Sequence, residues 1–410
     1  MKLLQVDTIE EAIQKLHCTV PRSWRKIERC ELHTSCGLVL AEDLYASRSV
    51  PEFRRSTVDG YAIKASDSWG ASTSMPVMLT LLGEVMMGST ATQKMQSGSC
   101  VYVPTGGMIP DAATAMVMVE HTEVLGEDTV LVYASAAEGN HIVEVGEDIT
   151  RDELLISTGT RIKPRHLASI AAIGRATIQV YVPLRVIIIS TGDEVITPGT
   201  ELSAGEVYDI NSFGLMGICL QEDMELVEVM VVKDNEEQLR SIVTEAKTKC
   251  DLVLISGGSS QGLKDVTEKV ISHVSTPGVL SHGLAAKPGK PTIIGYDEIS
   301  STMLIGLPGH PVAAMVIYQV VILRFLKEQI QEKTTQVSIH AKLTKNCPSA
   351  AGRATIQLVE LSQEAHEYKA EPIFGKSGAI KTLLRANGYF VMDVNEEGTQ
   401  AGQYVEVNLF

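Results

Sequence analysis

From Arg185 onward one pattern repeats: a short, wholly apolar run followed by a helix-length segment. RVIIIST, LVEVMVV and DLVLISGG are separated by stretches over 211–222 and 236–249 that carry helical periodicity. Strands buried on both faces read as unbroken apolar runs, and in that spacing they form a mainly parallel sheet covered by helices. PTIIG and TMLIG add two strands, a further helix is expected after Asp265, and an apolar helix over 311–331 closes the unit. Residues 182–331 are therefore expected to form an α/β sandwich that holds its ligand at the carboxyl ends of the strands.

A chain of 410 residues is too long for one core, so further domains are expected. The lead MKLLQVDTIEEAIQKL predicts a short strand and then an amphipathic helix from about Thr8, and residues 1–46 read as largely helical. From Pro51 the texture turns to short strands broken by Gly, Pro and Thr, which marks 47–143 as a β-rich insert. Residues 144–181 restore a loop, a strand and a helix with Pro164 in its first turn. Together 1–46 and 144–181 are expected to form one domain, discontinuous in sequence. Alternating segments after 332 predict a small β domain over 332–410.

Composition excludes several classes. A net charge of −15 and only 5% aromatic residues oppose nonspecific nucleic-acid binding and an anionic membrane surface. No run reaches the roughly 18 apolar residues of a membrane span. Seven scattered cysteines without a Cys-x-x-Cys pair fit reduced thiols in the cytoplasm rather than a disulfide frame or a zinc site.

The chemistry-bearing residues collect at the expected ligand edge. In ISGGSSQGLKD a buried strand enters a glycine turn and a helix, so that Ser256, Gly257 and Gly258 bring backbone amides toward an anion. The turn departs from a P-loop, with Leu263-Lys264 where Lys-Ser/Thr is required. It also satisfies Gly-x-Ser-x-Gly around Ser260, and Asp265 or Asp297 with His310 would complete a hydrolase order. Lys287 and Lys290 in KPGKP supply point charges for phosphate. Pro308, Gly309 and His310 end a strand just before a helix. Glu194, Asp234, Asp265 and Asp148 provide the oxygen donors that magnesium takes together with a substrate phosphate. Asp59, in FRRSTVDGYAI, reads locally as a turn residue, with Arg54 and Arg55 nearby to attract an anion.

In order, STVDGYA, PTGGMIPDAATAMVMVE, GEDI, STGDEV, YDIN, ISGGSSQGLKD, KPGKP and GLPGHPVAA resemble the molybdopterin molybdenumtransferase family, which includes the C-terminal catalytic domain of gephyrin. The resemblance implies an elongated four-domain α/β plus β chain, with a molybdopterin-binding-like α/β domain and a barrel-like C-terminal domain. It implies a transferase that inserts molybdate into adenylylated molybdopterin with Mg2+ and releases AMP. A homodimer is implied, with each active site shared between subunits, and a molybdopterin adenylyltransferase as partner; a noncatalytic pterin carrier or scaffold is the alternative. Carried over by motif, Asp59, Asp148, Glu194 and Asp265 are the catalytic positions, with Glu194 and Asp265 as metal ligands. Thr105, Asp234, Ser256, Gly257, Gly258, Lys287, Lys290, Pro308, Gly309 and His310 are the substrate-binding positions. His310 stands where many relatives carry Asn, which leaves molybdate and tungstate both open.

Overall fold

The computed structural model describes residues 6–257, 261–333, 338–364, 366–375 and 378–410, and the side chains of 261–265 fall outside that description. Its centre is a six-stranded sheet in the order Glu225–Val232, Arg185–Thr191, Leu252–Gly257, Thr302–Leu307, Ile293–Asp297 and Pro277–His282. Ile293–Asp297 runs antiparallel to both its neighbours, so the other five strands share one direction. Val186 to Ile189 and Leu252 to Ile255 are completely buried, because alternate residues feed apolar cores on the two faces. The two expected central helices appear as Asn211–Gln221 and Glu236–Lys249.

The lead helix is Ile9–Thr19, with Thr8 as N-cap in a reciprocal capping box with Glu11. Ile9, Ala12, Ile13 and Leu16 repeat at helical spacing and bury into the core of the α/β sheet. The rest of 1–46 is not the helical stretch expected from sequence. Ile27–Glu31 is a strand paired with Thr177–Tyr181, and its largely exposed side chains carry no apolar alternation to announce it. A separate core of residues such as Leu40, Leu44, Ile156, Ile170 and Val180 joins the segments on either side of the insert.

The insert forms its own six-stranded sheet with two cores drawn from residues 58–142, none of them shared with the α/β unit. After residue 338, five strands close on themselves through a second pairing of Ala354–Glu364 with Gly388–Met392, which makes a barrel. That barrel is stitched to the α/β unit by backbone pairing of Ala286 with Ala354 and Lys287 with Thr355. Ile356, Leu358 and Tyr389 extend the α/β core into the barrel. The apolar run after Pro311 is an α-helix over Pro311–Ile317, π-helical over Tyr318–Leu323 and α-helical again over Arg324–Gln329. Among the described residues no helix is long and apolar enough to cross a membrane.

Candidate functional site

Four parallel strands end at one edge. Register places Thr191 beside both Val232 and Gly257, and Ser256 beside Leu307. The loops that follow these strands are consequently neighbours. Gly257 is needed for close approach, since a Cβ there would stand 2.6 Å from the Thr191 Oγ1.

The acidic part of the edge comes from the first two loops. The Asp234 amide donates to Asp193 Oδ1 at 3.2 Å, and Lys233 Nζ donates to the Asp193 carbonyl at 2.5 Å. Burial, then the negative charges of Asp193 and Glu194, push the Asp234 carboxyl above its ordinary range. Its Oδ1 is buried and has no hydrogen-bond partner among the described residues. Such a carboxylate cluster is complementary to a cation. Among the described residues no three His, Cys, Asp or Glu side chains gather as a metal-binding group.

A neutral clamp lies behind this edge. Buried Asp209 accepts from Ser190 Oγ at 3.0 Å and from the Ser212 amide at 3.1 Å, which fixes the start of the Asn211–Gln221 helix. Asn211 Nδ2 then donates to Ser256 Oγ at 2.6 Å and to the Gly309 carbonyl at 2.8 Å. Three loops distant in sequence are thereby held in one arrangement.

The basic part lies where the α/β unit meets the barrel. A cavity of about 470 Å³ is lined by Lys287, Lys290, Pro308 and His310 on one side and by Arg353 and Thr355 on the other. Both lysines are exposed on a turn whose Gly289 has a φ of 121° and packs so closely on Ile317 that a Cβ would lie 2.2 Å from its Cδ1.

Asp59 and Thr105 meet in the insert: the Thr105 amide and hydroxyl donate to Asp59 Oδ1 at 2.7 and 3.1 Å. Gly60 is required beside them, because a Cβ would fall 2.0 Å from the Val117 carbonyl oxygen. Arg54 is engaged within the insert itself. Its guanidinium donates to the carbonyls of Pro110, Asp111 and Ala113, at 2.9, 2.8 and 2.9 Å, and staples that loop. Exposed Asp148 sits on another loop, its amide bonded to the Val50 carbonyl.

The structure thus brings the expected residues together in three groups: Glu194 with Asp234, Ser256 with Gly309, and Lys287, Lys290, Pro308 and His310. Asp59 with Thr105, and Asp148, stand apart. Gly258, Ser260 and the Asp265 side chain lie outside the described residues. Sequence reasoning passed over Asp209 and Asn211, although YDIN just before a helix signals a polar cap. It also passed over Arg353, which has no motif around it and joins the cavity only through the pairing of the barrel strand with Ala286-Lys287.

Residues 7–174 match the family described as "MoeA N-terminal region (domain I and II)", 187–328 the "Probable molybdopterin binding domain", and 340–410 the "MoeA C-terminal region (domain IV)". A molybdopterin molybdenumtransferase of Haemophilus influenzae is 28% identical over 98% of both chains. Molybdopterin molybdenumtransferase 2 of Mycobacterium tuberculosis is 34% identical over 70% of this chain and 71% of its own. The crystal structure of a molybdopterin biosynthesis MoeA protein from Pyrococcus horikosii superposes with a TM-score of 0.86, at 31% identity and 99% coverage of each chain. With all four domains accounted for in the same order, the chain belongs to the MoeA family of molybdopterin molybdenumtransferases, transferases of molybdenum cofactor biosynthesis.

Proposed function

We propose that this chain inserts molybdate into adenylylated molybdopterin, releasing AMP and molybdenum cofactor in a Mg2+-dependent step. The observation that carries this reading is the division of charge around one sheet edge. Carboxylates of Asp193, Glu194 and Asp234 occupy one flank, and Lys287, Lys290 and Arg353 surround a cavity on the other. Adenylylated molybdopterin and molybdate are both anions. Two unit charges 4 Å apart repel by about 4 kcal/mol at an effective dielectric near 20, so cationic side chains are needed to bring them together. The lysines would hold phosphate or molybdate oxygens as point charges, and Arg353 would offer its planar fork.

The residues present suit Mg2+. The unpartnered Asp234 Oδ1, in a cluster whose negative charges raise its own proton affinity, is the environment a hard cation relieves. One or two carboxylates suffice when waters and a substrate phosphate complete the set. Glu194 and Asp234 would hold the ion, with Asp265 as the further ligand expected from its motif. Bound there, magnesium would neutralise charge on the phosphate as its bond to the pterin side breaks.

Support for a homodimer comes from the Asn211–Gln221 helix, which is apolar on every side yet leaves Phe213 48% and Leu220 57% exposed. Beside it the edge strand Glu225–Val232 exposes Val227 and Val229. A second copy covering this face would remove that apolar surface from water. Asp59 and Asp148 would then reach the partner's sheet edge. A cytoplasmic molybdopterin adenylyltransferase would supply the nucleotide.

The test is AMP release from adenylylated molybdopterin by purified protein with Mg2+, comparing molybdate with tungstate. Release that depends on both Mg2+ and the oxyanion is expected. Tight nucleotide binding with no AMP formed would instead make the protein a carrier.

A further inference from the structure

The cavity between the α/β unit and the barrel has two chemical halves. Exposed Lys287, Lys290 and Arg353 supply cations, whereas Ile356, Leu358 and Ile373 give it a buried apolar wall. Phe374 lines the same cavity and is 57% exposed, the most exposed of the six phenylalanines. Its backbone is held on both sides. The Ile373 amide donates to the Leu358 carbonyl at 2.9 Å, and the Ile373 carbonyl accepts from Gln357 Nε2 at 3.0 Å. That nitrogen also donates to the Leu358 carbonyl at 2.9 Å, and since both partners can only accept, the amide orientation is fixed. Gly375 follows so close to the Ile380–Arg385 helix that a Cβ would lie 2.7 Å from Thr382 Oγ1. A braced frame thus keeps an aromatic ring open to solvent on the wall of a cavity of about 470 Å³, the size of a small-molecule pocket.

The geometry points to Phe374 as a stacking platform for a planar fused heteroaromatic ring whose attached phosphate is held by Lys287 and Lys290. This rests on the reading of the cavity as the anion-binding part of a pterin-nucleotide site. A simple oxyanion uses the cations alone and gains nothing from an aromatic face. A ring-bearing phosphate uses both halves of the cavity and removes the exposed Phe374 face from water. Every heteroaromatic ring has a π-face, so pterin and adenine share this chemistry. Because the backbone on either side of Phe374 is already fixed, little ordering cost falls on binding. Phe374 thereby separates the ring-bearing substrate from free phosphate and molybdate, which the same lysines attract equally.

The test compares ligands with and without the ring on the full-length chain. Affinities are measured calorimetrically for AMP against ribose 5-phosphate and for 6-hydroxymethylpterin phosphate against methyl phosphate. In the unmodified protein the ring-bearing member of at least one pair should bind about tenfold more tightly, the worth of one aromatic stack. The pair that discriminates identifies the ring. In Phe374→Ala that ratio should fall toward one, and in Phe374→Trp it should be kept. Phe374→Leu, apolar but without a π-face, should lose most of it. Lys290→Ala should weaken all four ligands together and leave the ratio unchanged. Each ratio is internal to one protein, so a general loss of affinity cancels. A ratio that survives in full in Phe374→Ala or Phe374→Leu overturns the stack while leaving the anion site intact. Equal binding within both pairs by the unmodified protein also overturns it. Failure of all four phosphates to bind the unmodified protein refutes the reading of the cavity on which the inference rests.

Discussion

Replacing Asp59 separates its two possible roles. Its Oδ1 accepts from the Thr105 amide and hydroxyl at 2.7 and 3.1 Å, on an exposed turn. Asn keeps an oxygen of the same shape in the same place; Ala removes it. Water can replace the lost partner at so exposed a site, so each bond contributes at the lower end of about 0.5–1.5 kcal/mol. Asp59→Ala should therefore lower stability by about 1–2 kcal/mol and Asp59→Asn by less than about 1 kcal/mol. If the carboxylate charge acts on metal-bound water or on the oxyanion, both variants should lose about a hundredfold in AMP release, near 2.7 kcal/mol in barrier. Activity and stability would then follow different orders. Melting curves and AMP-release rates measured side by side decide it, and near-normal turnover by Asp59→Asn would refute the catalytic role and leave a turn residue. A purified heterodimer of one Asp59→Ala subunit and one Lys290→Ala subunit extends the test. A site shared between subunits leaves one working site of two, whereas self-contained sites leave none.

Two further substitutions probe charge. Because the folded state raises the Asp234 carboxyl pKa, the ionised group costs stability once pH rises above the unfolded carboxylate value, and the cost is complete above the folded one. Asp234→Asn should accordingly raise the melting temperature at neutral pH in magnesium-free buffer, with the gain vanishing toward pH 3, while AMP release falls; a lower melting temperature at pH 7 would contradict the reading. Asp297 behaves in the opposite sense. Burial opposes its ionisation, but Lys247 at 2.8 Å, Ser300 and two backbone amides outweigh that and hold it at about 2. This contributes about 2 kcal/mol that is fully present above pH 4 and lost as pH falls through 2. Asp297→Ala, which also strands Lys247, should cost about 3–5 kcal/mol by denaturant titration; a change below 1 kcal/mol would show the pair to be dispensable.

What the sequence revealed followed from burial. Strands covered on both faces had to be apolar throughout, so the α/β unit was legible. The 236–249 helix has the bounds its periodicity predicts, and Asn235 caps it by accepting from the Gln238 amide. Ile27–Glu31 escaped because an exposed strand has no apolar face to display. The run over 311–331 is buried on nearly every side, so its composition gave the length but no signal for the change to π-helical winding at Tyr318. Strand direction was equally silent: nothing in PTIIG distinguishes the antiparallel Ile293–Asp297 from its parallel neighbours.

The candidate site was legible as a set of motifs but not as an object, because its parts are joined by contacts no local pattern encodes. KPGKP reads as an appendage of the α/β unit. In the fold Lys287 is also a strand residue of the barrel's sheet, paired with Thr355 two positions beyond Arg353. The spacing between the lysines and Arg353 is therefore set by a parallel backbone ladder, and the barrel acts as a wall of the site. YDIN shows the same logic on the other face, where a side chain at a helix start ties Ser256 to Gly309. Neither connection favours particular residues at the positions it brings near. Shifting the Ala286-Lys287 pairing by one residue would carry Lys287 to the opposite face of its strand. The cavity would then lose a cation although every motif remained intact.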